Sequence, residues 1–105
     1  MDGHQDLHAR IDQLCARAAR DGADPEVIEE INDLLSEGYA RALVAERALV
    51  ALNERLVELV LASGERPEKQ IRAVADERRV AADLVERLRA RLADLHEYFV
   101  VVAGQ

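Results

Sequence analysis

Residues 28–62 read IEEINDLLSEGYARALVAERALVALNERLVELVLA, and the spacing of their apolar side chains decides the fold. With Ile28 as heptad position a, the a and d sites are Ile28, Ile31, Leu35, Gly38, Ala42, Ala45, Leu49, Leu52, Leu56 and Leu59. No charged residue interrupts them. A seam that recurs every 3.5 residues on average over about five heptads marks a helix packed lengthwise on another helix.

Working outward, a second seam follows: Ile71, Val74, Arg78, Ala81, Val85, Leu88, Leu92, Leu95, Phe99 and Val102, broken only by Arg78. Between the seams lies Ala62-Ser63-Gly64-Glu65-Arg66-Pro67, where Gly64 can close one helix and Pro67 can open the next. So short a link makes the two helices antiparallel neighbours, and folding about it opposes residues whose numbers sum to about 130. Leu59 then meets Ile71, Leu49 meets Ala81, Ala42 meets Leu88, Leu35 meets Leu95 and Ile28 meets Val102. Large faces small through the middle, so volumes interdigitate. Gly38 costs roughly 1 kcal/mol relative to Ala inside a helix, and its reason is Leu92, which fills the space left by the missing side chain. On the flank, Arg55 falls near Glu77, a surface ion pair worth well under ~1 kcal/mol.

Upstream, Asp21-Gly22-Ala23-Asp24-Pro25 is the other breaker. Gly22 suits a helix C′ position, Asp24 an N-cap and Pro25 the first helical residue. A first helix with the apolar stripe Leu7, Ile11, Leu14 and Ala18 therefore folds back on the start of the second, into a groove formed by Val27, Leu34 and Tyr98. The expected architecture is a single all-α domain over residues 1–105, with helices at 5–20, 25–62 and 67–102. It is a long antiparallel, coiled-coil-like helical hairpin, with the shorter N-terminal helix at its open end making a three-helix bundle.

Composition agrees. Half of the 105 residues are apolar and only 3 % aromatic, a balance of slim side chains that suits close helix packing. The net charge is −7, and Arg is interleaved with Asp and Glu, so no basic face exists to displace counterions from phosphates. Nucleic acid and anionic membrane are both excluded as expected partners. Lys69 is the only lysine, which points to GC-rich bacterial coding. The start, from Met1 to Asp6, lacks a basic region and an apolar region, so it does not read as a signal peptide. The longest apolar run, Phe99 to Ala103, is too short to span a bilayer. A cytoplasmic location is the expectation.

The second helix carries another stripe, Tyr39, Leu43, Val50, Val57 and Val60, with Leu61 beside it. A helix apolar on two faces is buried on two faces. Neither neighbouring helix can cover this one, so a homodimer or higher even assembly is expected through it.

Chemistry-bearing patterns are few. His4, His8, Asp12 and Cys15 recur along one face of the first helix, and imidazoles one turn apart can chelate a metal. His96 falls nearby in the folded bundle. His4, His8 and Asp12 are the only metal candidates, and solvated side chains are the simpler account of them. Glu26, Glu29, Glu30 and Asp33 form an acidic first turn, which a helix N-terminus favours electrostatically. The Glu26-Val27-Ile28-Glu29 ExxE is similar to one half of the magnesium-binding set in helical nucleotide pyrophosphohydrolases of the MazG type. Their second half, an ExxD on the next helix, does not follow at suitable distance: Glu46, Glu54 and Glu58 are followed three places on by Leu49, Val57 and Leu61. Arg78, at a core a site opposite Leu52 and next to Asn53, reads as a register or oligomer-state device. Its head reaches the edge or a carboxylate. Cys15, the lone cysteine, reads as a small buried hydrophobe. The tail His96 to Val102 is apolar nearly all round and reads as bundle core.

No nucleophilic triad, phosphate loop or CxxC is present, so no catalytic residue and no cofactor is expected. The leading function is a scaffold, adaptor or oligomerisation module acting through protein–protein contacts, with itself or another helical protein. A small metal-dependent bundle enzyme related to the pyrophosphohydrolases, and a regulator that sequesters a partner's helix, are the alternatives.

Overall fold

The computed structural model of the chain describes residues 4–22, 24–62, 64 and 67–104. Met1, Asp2 and Gly3 of the start, Ala23 of the first breaker, and Ser63, Glu65 and Arg66 of the second lie outside the described residues. Three helices account for nearly all of the rest: α1 (Gln5–Asp21), α2 (Pro25–Leu61) and α3 (Glu68–Ala103). The molecule is an all-α three-helix bundle drawn out to 63 × 20 × 15 Å.

Local chemistry sets the helix ends. Gly22 takes φ +86°, a left-handed conformation open to glycine at little cost, and its N–H donates to the Ala18 carbonyl at 2.9 Å. Asp24 then caps α2, its Oδ1 accepting from the Val27 N–H at 2.9 Å, with Pro25 at the first turn. Gly64 also has positive φ, +101°. Pro67 stands one place before α3, and its carbonyl accepts from the Ile71 N–H at 2.9 Å.

The packing of α2 on α3 dominates the fold. Ile31, Leu35, Gly38, Ala42, Leu88, Leu92, Leu95 and Val102 are all buried, as the heptad seam requires. Their register is visible at Gly38. A Cβ placed there would lie 3.3 Å from Leu92 Cγ and 3.4 Å from Cδ1, and would overlap Cδ2. Leu92 is fully buried, so it has nowhere to retreat. The glycine is thus a hole into which the opposing leucine is driven. The flank pair expected between Arg55 and Glu77 does not form; neither side chain makes an ion pair among the described residues. Both are exposed, and a solvated pair gains too little to hold two long side chains in one geometry.

Helix α1 lies antiparallel to α2 at the open end. Leu7, Ile11, Leu14 and Ala18 are buried in one cluster with Val27, Leu34 and Leu95, and Tyr98 packs against them. Ion pairs step along both helices in opposite directions: Arg17–Glu30 at 2.9 Å, Arg10–Glu37 at 2.6 Å and Arg41–Asp6 at 2.8 Å. A further pair, Arg91–Asp12, ties α1 to α3. Beyond Arg41 the rod has two helices only, and the cost is visible in burial. Leu49, Leu52, Leu56, Leu59, Ile71 and Val85 hold seam positions yet remain half-buried.

The tail departs from expectation. Tyr98 and Phe99 are half-buried and Val102 is buried, but Val100 and Val101 point to solvent. Three helices surround a single axis, so one side of every helix stays outside, and Val100 and Val101 fall on that side of α3.

Gly38→Ala is expected to destabilise the fold by about 1 kcal/mol, because overpacking of roughly 1–3 kcal/mol exceeds a helix-propensity gain of up to about 1 kcal/mol. In a Leu92→Ala background the same substitution should become neutral or stabilising, since the clash is gone. Urea unfolding of the four proteins in this cycle measures both values; a Gly38→Ala that stabilises the otherwise unchanged chain would show that the helices do not approach this closely.

Candidate functional site

The site is a face of α2 rather than a cleft. Residue by residue, Tyr39, Leu43, Val50, Val57 and Val60 are exposed, and so are Leu61 and Val44. Tyr39, Leu43, Val50, Val57 and Leu61 share a side because a helix turns about 100° per residue, and that side points away from the buried Val27–Leu34 face that holds α1; Val44 lies about 120° round from it. The contrast within the stripe is informative. Leu61 is 76 % exposed and Val60 42 %, because Val60 leans toward α3 and, with Ile71, Glu68 and Arg72, lines a shallow depression beside the turn. Leu61 therefore belongs to the outward line more fully than Val60 does. Heptad spacing sets Leu61 beside the stripe, whereas the 100° step counted from Val50 sets it within the line, at about 100° per residue. The exposed Val44 and Val80 escaped it altogether, since each stands outside any repeating spacing.

Along one edge of this face, α3 guanidinium groups clasp α2. Arg89 Nε donates to Glu46 Oε1 at 2.6 Å, which holds the Glu46 carboxyl below its ordinary range and raises the Arg89 pKa. Arg78 Nε donates to Asn53 Oδ1. The seam arginine thus leaves the core, as a long side chain with a charged head can. It finds an amide on its own hairpin rather than a carboxylate.

The metal candidates do not assemble. Among the described residues no three His, Cys, Asp or Glu side chains stand together in a way that could hold an ion. This applies to His4, His8 and Asp12, and equally to Cys15 and His96. Asp12 is engaged by Arg91. His8 is half-buried, and burial, with the nearby Arg91 charge, pushes its pKa down. His4 sits at the α1 N-terminus with φ +71°. Cys15 is half-buried against the core, and burial raises its thiol pKa, which disfavours the nucleophilic thiolate. In the acidic turn of α2, Glu30 is held by Arg17, while Glu26, Glu29 and Asp33 face solvent. A depression of about 660 Å³ is an open groove between α1 and α2. It is lined by Arg10, Arg17, Arg20, Glu30 and Asp33, where opposite charges already meet. No helix among the described residues is long and apolar enough to cross a membrane.

No protein-family model matches the chain, and neither a curated protein nor a solved structure is similar to it.

The strongest electrostatic effect lies at the α1–α2 junction. The Arg41 guanidinium donates to both Asp6 oxygens, at 2.9 and 2.8 Å, and lowers the Asp6 carboxyl from its ordinary 3.8 to about 2. A depressed carboxyl adds stability that is complete above its unfolded value and fades as pH falls from 3.8 toward 2. A carboxyl-detected NMR titration should find Asp6 ionising near 2, and Arg41→Ala should return it toward 3.8. An unchanged value in that variant would show that the two helices do not meet there.

Proposed function

We propose that the chain is a non-enzymatic helical scaffold or oligomerisation module that acts through protein–protein contacts and associates with a second copy of itself through the outer face of α2. One observation carries this reading: Tyr39, Leu43, Val50, Val57 and Leu61 stand exposed in a row along α2. Single exposed apolar residues are ordinary, but a contiguous patch marks an interaction site. Pairing of two hairpins through this row sets four helices side by side, with the α2 helices innermost. A cytoplasmic setting suits a chain whose one cysteine has no partner to oxidise with.

Sedimentation equilibrium at tens of micromolar should return twice the chain mass of 11.7 kDa. Val50→Glu, which sets a carboxylate in the apolar row of each copy, should raise the dissociation constant by roughly a hundredfold, equivalent to about 2.7 kcal/mol. Helical content by circular dichroism should be unchanged. A chain that is monomeric throughout this range, with or without the substitution, would overturn the reading.

A further inference from the structure

The exposed row has an internal symmetry. Tyr39, Leu43, Val50, Val57 and Leu61 are separated by four, seven, seven and four residues. At about 100° per residue, all five fall within about 20° of one line along α2, whereas Val60 falls about 80° away. Reversed about Val50, the row maps onto itself. A parallel dimer places no such demand on a sequence. An antiparallel one does, because its two-fold axis crosses the helices at right angles and each position must meet its mirror-numbered counterpart.

Charges follow the same rule. Arg47 and Glu54 are exposed on one edge of the row, three residues before and four after Val50. Among the described residues neither has a hydrogen bond or ion pair within its own chain. On the opposite edge the corresponding polar residues are Glu46 and Asn53, already held by Arg89 and Arg78. A two-fold axis at Val50 keeps each edge on its own side of the interface. It brings Arg47 beside the partner's Glu54, and Glu54 beside the partner's Arg47. A parallel arrangement opposes unlike edges, so Arg47 would face a Glu46 carboxylate that Arg89 already neutralises.

Resting on the self-association proposed above, we infer that two copies pair antiparallel along α2 about a two-fold axis at Val50, with Leu43 packed on the partner's Val57, Tyr39 on the partner's Leu61, and two symmetric Arg47–Glu54 ion pairs closing one edge. The thick, three-helix end of each copy then extends beyond the turn end of the other. Because the two-fold contact uses the same face twice, it closes on itself at two copies.

Paired spin labels on the full chain test this. With Cys15→Ser as background, single labels are placed at Ala51→Cys and Glu58→Cys, both exposed and off the row. Along the helix axis the antiparallel dimer separates the two Ala51 positions by only ~3 Å and the two Glu58 positions by ~24 Å, at 1.5 Å per residue. The expected result is a distinctly longer distance at the second site. Equally short distances at both sites, in a sample that sediments as a dimer, overturn the antiparallel pairing and leave the oligomerisation reading standing; a monomer removes both. Charge reversal gives an independent arm. Arg47→Glu or Glu54→Arg alone should each weaken the dimer about tenfold, and the double reversal should restore it. A double variant as weak as the singles would show that these two residues do not meet.

Discussion

The close approach of α2 and α3 at Gly38 is the constraint from which the rest of the molecule follows. Leu92 occupies the volume where a Gly38 side chain would stand, and only one alignment of the two helices allows it. Sliding either helix by one turn would drive Leu92 against a Cβ and open a void elsewhere, and close-packed interiors tolerate neither. With that contact set, Ala42 lies in the seam near Leu88, the small residues of α2 face the large ones of α3, and the turn at Gly64 falls where two helices of nearly equal length end together. The groove for α1 is a product of the same alignment, since Val27 and Leu34 on α2 must come level with Leu95 and Tyr98 on α3.

The ends of the rod differ because α1 is half the length of its neighbours. At the open end, apolar side chains from three helices meet and are buried. At the turn end the same heptad letters are written, but two helices enclose each side chain from one direction only. Charge distribution follows this asymmetry. The ion pairs that link α1 to its neighbours gather at the thick end. Among the described residues the links across the thin end are Arg89–Glu46, which is half-buried, and Arg78–Asn53, which is exposed. Such contacts near the surface contribute little to stability, but they lie along the rim of the apolar row on α2.

Much of the fold was legible in the sequence because it rests on features that depend on spacing alone. Heptad positions, the Gly22–Pro25 and Gly64–Pro67 punctuation and the Gly38–Leu92 pairing all follow from counting residues. The α1 stripe of Leu7, Ile11, Leu14 and Ala18 is buried side chain for side chain. What escaped was whatever depends on the choice of a long, flexible side chain among nearly equal options, or on how many helices surround a position. Arg55 makes no pair with Glu77; Arg78 reaches the edge as its length allows, but its partner there is an amide rather than a carboxylate. Val100 and Val101 are apolar neighbours of a buried Val102, yet a helix of a three-helix bundle has an outside. At the candidate site the stripe was legible as a set, but Val60 and Leu61 exchange importance because a period of 3.6 residues sorts adjacent positions by angle, which inspection of heptads blurs.

The uneven thickness of the rod also sets where it opens. Backbone amides in the two-helix half are shielded by fewer packed side chains than those of the bundle. Opening of the Gly64 end therefore exposes less apolar surface than opening of the three-helix end, so amides around Ile31, Leu88 and Leu92 should be the better protected from exchange. The hairpin is thus clamped at the end where α1 is seated, and its tip is the part held by the fewest packed side chains.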